Sequence, residues 1–220
     1  MDFERWQSTN RSEVLWLSGP AECRISDASS HIVGLVKENA SQEQRLVLYF
    51  FCATAPPEDS IANTFVSTIL HQLIRSLPLG DLKKAATNAF LRTLLEVIPG
   101  GEPRSNRDLS RFKLDDSLAE TIEKILQTSS NGYWRALRAV TDLVHEHGLY
   151  LMIDGLDKIE HQKSEFVVEI HTFIEHLRER PSTTRVLLTS RPQAEIKEIL
   201  SGVRCIEYDK ERKGSIISHS

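Results

Sequence analysis

Three short clusters in the sequence carry residue types suited to holding a phosphate group and a divalent cation. The first is Leu17-Ser18-Gly19-Pro20-Ala21-Glu22-Cys23-Arg24-Ile25-Ser26. A loop that surrounds phosphate with backbone N–H groups follows the pattern G-x-x-x-x-G-K-[ST] between a strand and a helix. Gly19 and Ser26 stand at the outer positions of that pattern, with Arg24 at the second glycine position and Ile25 at the lysine position. The second cluster, Ile153-Asp154-Gly155-Leu156-Asp157, closes an apolar run with two carboxylates. A strand that delivers a carboxylate at its C-terminal edge can hold magnesium, usually through water, beside a triphosphate. The third, Leu188-Thr189-Ser190-Arg191-Pro192, offers a hydroxyl pair and a guanidinium. Plainer roles stand beside these. Asp154 and Asp157 could cap a turn, and Gly19 with Ser26 fits a strand-turn-helix with an N-capping serine. Arg191 could sense phosphate or pair with Asp154 or Asp157. The order of the three clusters is more specific than any one of them.

These clusters need strands to carry them. The runs Val14 to Ser18, Leu46 to Cys52, Leu149 to Ile153 and Arg185 to Ser190 are nearly continuous in apolar residues, as strands covered on both faces are. Arg204 to Tyr208 is a weaker fifth candidate. Between them the period becomes helical: Asp27 to Asn39, the stripe Ile61, Phe65, Ile69 and Leu73, the stripe Phe166, Ile170, Phe173, Ile174 and Leu177, a segment after Asp81, and Trp134, Leu137, Val140 and Val144. Alternating strands and helices predict an α/β fold, a three-layer sandwich around a mostly parallel sheet of about five strands. Ligands of open α/β sheets bind at the C-terminal strand edge, where all three clusters fall. The stretch Pro99 to Asp116 reads as an exposed connection, and Asp209 to Ser220 as a loosely held polar tail.

Composition narrows the function classes. The chain has 220 residues, 40% hydrophobic and 26% charged, with 27 Lys+Arg against 31 Asp+Glu. That mild acidity gives no general attraction to nucleic acid or anionic membranes. Three scattered cysteines exclude a disulfide scaffold, and the start Met1-Asp2-Phe3-Glu4-Arg5-Trp6 does not read as a secretory signal, so a cytoplasmic setting is expected. His145 with His147, and His171 with His176, have spacings poor for chelation, so no metal cluster is expected.

The sequence resembles the NACHT-type NTPases of the STAND class of P-loop proteins, in particular the fungal, nephrocystin-like N-terminal branch of heterokaryon-incompatibility and NLR-like receptors. The likeness rests on Trp16-Leu17-Ser18-Gly19 with Ser26, Leu48-Tyr49-Phe50-Phe51, Ile153-Asp154-Gly155-Leu156-Asp157 and Leu188-Thr189-Ser190-Arg191-Pro192. It makes residues 1–208 one P-loop NTPase-like domain, with 209–220 as its tail. The resemblance implies an oligomerisation switch that uses ATP or GTP with magnesium. Gly19, Arg24 and Ser26 would then belong to Walker A, Asp154 would serve the metal, and Asp157 would be catalytic. Ser190 and Arg191 would contact nucleotide from the sensor strand. Its partners would be other proteins or like domains, with no nucleic acid and no membrane.

This chain departs from the family where the chemistry is most demanding. Ile25 in place of lysine removes a charged hydrogen bond worth roughly 1.5–3 kcal/mol, about 10- to 150-fold in affinity. Hydrolysis suffers further, because that charge follows the developing transition state. A non-glycine residue at positive φ costs on the order of 1–2 kcal/mol, so with Arg24 the turn is expected to lose its usual shape. Lys158 stands where related sequences often place a glutamate. The expected function is therefore a degenerate nucleotide-binding module, a protein-interaction or signalling switch in NLR-like non-self recognition with weak or no hydrolysis. The alternatives are an active ATPase or GTPase in which Arg24 replaces the lysine, and a truncated paralogue without activity.

Overall fold

Five apolar segments pair into one sheet: β1 (Glu13–Ser18), β2 (Leu46–Phe51), β3 (Leu149–Asp154), β4 (Thr184–Ser190) and β5 (Arg204–Glu207). Their order across the sheet is β2-β3-β4-β1-β5, and every pairing is parallel. The helices are α1 (Ile25–Glu43), α2 (Ile61–Ser76), α3 (Asp81–Val97), α4 (Ser130–Leu143), α5 (Lys163–Arg178) and α6 (Ala194–Ile199). This computed structural model describes residues 5–6, 12–43, 45–54, 60–78, 80–97, 130–144, 146–180 and 183–208. The stretches Pro99 to Asp116 and Asp209 to Ser220 lie outside the described residues. The chain divides into two compact units, Met1–Ile61 with Glu146–Ser220, and Ala62–His145.

The first unit holds the sheet. Strands β3 and β4 are buried along their whole length, which is what flanking strands on both sides and helices on both faces require. Edge strand β2 instead alternates buried and half-buried positions. Leu15, Leu17, Tyr150, Met152 and Leu187 turn to one face and pack with Ile32, Val33, Val36 and Ala40 of α1. Each such aliphatic side chain contributes about 1.5–3 kcal/mol when fully buried. Trp6 packs there too, edge-on to Tyr150 at 5.8 Å, and its indole N–H donates to the Glu13 carbonyl at 3.3 Å.

Connection handedness assigns the other helices. The crossover from β1 to β2 runs toward one edge of the sheet, whereas those from β3 to β4 and from β4 to β5 run toward the other. Right-handed crossovers therefore place α1 on one face and α5 with α6 on the opposite one. The buried stripe of α5, from Phe166 through Ile170 and Phe173 to Leu177, covers that second face and completes three layers. Adjacent strands β1 and β4 consequently send their chains to opposite faces. A crevice opens at the C-terminal edge of such a pair.

The second unit is helical. Phe65 of α2 stacks on Trp134 of α4, ring centroids 5.5 Å apart, and α3 packs along α4. Ile69, Leu73, Ala86, Leu137 and Val140 are buried, in keeping with their helical spacing. Among the described residues no helix is long and apolar enough to cross a membrane.

One close approach shapes the crevice. A Cβ on Gly19 would lie 2.6 Å from the Tyr208 carbonyl oxygen and 3.0 Å from Cδ1 of Ile25. Gly19→Ala should therefore destabilise the fold by about 1–3 kcal/mol through overpacking. Urea denaturation tests this; an unchanged midpoint would contradict the contact.

Candidate functional site

The C-terminal edges of β1, β3 and β4 open into a cleft of about 160 Å³. It is lined by the turn from Gly19 to Asp27, by Gly155, Asp157 and Lys158, and by Thr189, Ser190 and Arg191. That volume is about five times the ~30 Å³ share of a liquid water and falls below the ~300 Å³ at which pockets for drug-sized ligands begin. It is large enough to admit a phosphate-sized group. Six of the residues singled out from sequence, Gly19, Arg24, Ser26, Asp157, Ser190 and Arg191, line this one cleft. Asp154 is 3% exposed and meets the cleft through Lys158.

The turn after β1 keeps a left-handed residue despite the missing glycine. A 3₁₀ turn, Ala21–Cys23, leads into Arg24 at φ 49° and ψ 48°. Arg24 itself takes up the left-handed conformation, and local bonding surrounds it. The Arg24 N–H donates to the Ala21 carbonyl at 3.2 Å, and the Arg24 carbonyl accepts from Asp27 at 3.0 Å and Ala28 at 3.3 Å. The guanidinium Nε also lies 2.7 Å from Asp27 Oδ2. Both side chains are exposed, so that pair adds at most about 1 kcal/mol against about 1–2 kcal/mol of strain. A helical turn followed by a left-handed residue aligns successive N–H groups into an anion-binding concavity. Ile25 contributes no charge to it, because its side chain is buried with Leu15, Leu17 and Val33 under α1.

The carboxylates are both engaged. The Thr189 hydroxyl donates to Asp154 Oδ1 at 2.6 Å and accepts the Gly155 N–H at 3.0 Å. The other oxygen, Oδ2, faces Lys158 Nζ at 3.9 Å. That ammonium donates to Ser26 Oγ at 2.8 Å, linking the loop after β1 to the end of β3. Gly155 makes the link possible: it sits at φ 79°, and a Cβ there would come within 3.0 Å of Lys158 Cδ. Asp157 accepts the Arg191 backbone N–H at 2.9 Å on Oδ1, and its Oδ2 lies 3.4 Å from the same residue's Nε. Arg191 thus pairs with Asp157 while its side chain remains partly exposed at the cleft. Ser190 is buried, and its hydroxyl accepts the Trp16 indole N–H at 2.9 Å, tying β4 to β1.

The cleft thus carries three cations, each beside a carboxylate: Arg24 with Asp27, Lys158 with Asp154, and Arg191 with Asp157. Magnesium asks for a near-octahedral shell of oxygens at about 2.0–2.1 Å. Here one oxygen of Asp154 is held by Thr189, the other faces an ammonium, and Ser26 accepts a bond from that ammonium. As arranged, these donors do not fit magnesium. Among the described residues no group of three or more potential ligands could hold a metal ion elsewhere. Sequence reasoning noted Lys158 only as an absent glutamate. Its position four residues after Asp154 was the available signal.

The three cysteines are free thiols. Burial pushes the Cys52 thiol far above its usual range, and the negative charges of Asp154 and then Asp157 push it further. Cys205 is exposed, and it too is raised, by partial desolvation and then by Glu207.

Fold and cleft together define an α/β protein with an anion-sized cleft at the switch point of a parallel sheet. A family model described as nephrocystin 3, N-terminal, matches residues 1–86 and 79–191, so the chain belongs to the nephrocystin 3 N-terminal family. Among curated proteins none matches it.

Two measurements check this geometry. Thr189→Val leaves Asp154 Oδ1 short of a partner, while the Gly155 N–H keeps the Thr189 carbonyl, and should cost about 1–3 kcal/mol, whereas Thr189→Ser should restore most of it; equal stability of the Val and wild-type chains would refute the bond. A raised thiol pKa means less thiolate at a given pH, so at pH 8 Cys52 should resist a disulfide reagent in the native protein and react only on unfolding. Cys205 should react first, and rapid native-state modification of Cys52 would contradict its burial.

Proposed function

We propose that this chain is a degenerate NACHT-type nucleotide module that works as a signalling switch through contacts with other proteins or like domains. On this reading its cleft accepts the phosphate end of ATP or GTP weakly and does not turn it over. Membership of the nephrocystin 3 N-terminal family supports the module class, and the resemblance to fungal NLR-like receptors supports a cytoplasmic role in non-self recognition. The parallel sheet and its switch-point cleft support a phosphate ligand.

The observation that carries the reading is the pairing of all three cleft cations with carboxylates, together with the burial of Ile25. An incoming phosphate must compete with a carboxylate for each cation. Asp157, the residue expected to be catalytic, has both oxygens against Arg191 and is held as a brace for the loop after β4. The rival ATPase or GTPase needs Arg24 to reach a phosphate, whereas its guanidinium lies against Asp27. Ser26 and Gly19 would position the phosphate by backbone, and Ser190 would act by holding β4 to β1.

Titration of the purified chain with a fluorescent ATP analogue, followed by a phosphate-release assay, tests this. Half-saturation well above the micromolar range and release no faster than the uncatalysed rate are expected. Saturable micromolar binding with phosphate release that Arg24→Ala abolishes would establish the active enzyme instead.

A further inference from the structure

We propose that Lys158 replaces the divalent cation at this cleft, so that a phosphate group is bound there against an internal ammonium and no metal ion binds between Ser26 and Asp154. In phosphate-binding loops of this type the divalent ion is held by the loop Ser or Thr and by the carboxylate that ends the acidic strand. Those are the two groups that Lys158 Nζ meets, at 2.8 Å from Ser26 Oγ and 3.9 Å from Asp154 Oδ2.

Three features make the placement a built one. Asp154 is buried and its carboxylate is fixed by Thr189, which leaves Oδ2 turned to the lysine. Gly155 lacks the Cβ that would press on the lysine stem. Lys158 lines the cleft with its side chain 35% exposed, so an ammonium with three donors retains capacity for an anion that enters. A divalent ion placed on the same two oxygens would sit against a like charge inside a partly desolvated site, where such repulsion is poorly screened. The positive charge that Ile25 removes from the first loop is thereby supplied from the loop after β3.

The metal half of this proposal stands on geometry alone; the phosphate half rests on the function proposed above. Manganese binding, read from the electron paramagnetic resonance signal of free Mn²⁺, tests the first on the full chain. Wild type should show no stoichiometric site. Lys158→Met should gain one Mn²⁺ bound at least about tenfold more tightly, because the like charge is gone. Lys158→Met with Asp154→Asn should lose it again. Lys158→Gln provides a second variant should the methionine chain fail to fold. A wild-type chain that binds Mn²⁺ as tightly as the lysine variants, or two folded lysine variants that both gain nothing, would overturn the proposal. In the fluorescent-nucleotide titration, magnesium and EDTA should give the same affinity. A magnesium requirement there would also overturn it, while absence of nucleotide binding would count against the nucleotide reading and leave the manganese result to decide this one.

Discussion

A single ammonium group, that of Lys158, joins the loops that leave β1 and β3 although β4 runs between those strands. A chain of contacts at the sheet edge runs through it. Thr189 holds Asp154, Asp154 faces the lysine, the lysine holds Ser26, and Ser26 opens α1. A hydrogen bond to a charged group contributes about 1.5–3 kcal/mol when shielded, and partial exposure of this one brings it toward the lower figure. Its larger effect is to set the charge of the cleft. Without the ammonium, Asp154 would be a buried carboxylate with only a hydroxyl for company, which costs several kcal/mol in a low-dielectric site.

Position 25 brings no charge to the sheet edge, and the serine beside it meets a cation from elsewhere in the chain. Position 25 is apolar and belongs to the core beneath α1, while the cation that meets Ser26 comes from a loop 132 residues further along the chain. A lysine in the first loop can follow a phosphate that sits over the turn. One anchored beside Gly155 is tied to the acidic strand and can serve the turn only from across the cleft.

Much of this was legible in the sequence, and the physical reason differs by feature. The runs around Leu15, Leu151 and Leu187 read as doubly covered strands because burial on both faces leaves no polar alternation to confuse the period, whereas the equally apolar run around Leu48 forms an edge strand with half-buried positions. A mostly parallel sheet followed from the helices between the strands, and all the described pairings are parallel. The order, with β4 inserted between β1 and β3, was not legible, since it depends on pairings such as Leu15 with Leu187 that no local pattern records. Phe65 and Trp134 each marked an apolar helix face, yet their mutual stacking emerges only on folding. At the cleft, the residue types and their sequence order were sufficient to find Gly19, Ser26, Asp154, Asp157 and Arg191. Ser26 as a partner of Lys158 was hidden by distance along the chain, and the left-handed Arg24 was hidden because no local pattern records its backbone bonds.

Behind the cleft, Tyr208 touches the same turn from the far side. Its N–H donates to the Ser18 carbonyl at 2.6 Å, its own carbonyl accepts the Cys23 thiol at 3.4 Å, and it leaves Gly19 no room for a side chain. Strand β5 is only four residues long and lies at the margin of the sheet, paired among the described strands with β1. The floor of the crevice therefore depends on the margin of the sheet: displacing Tyr208 would remove both its bond to Ser18 and the contact that excludes a side chain at position 19.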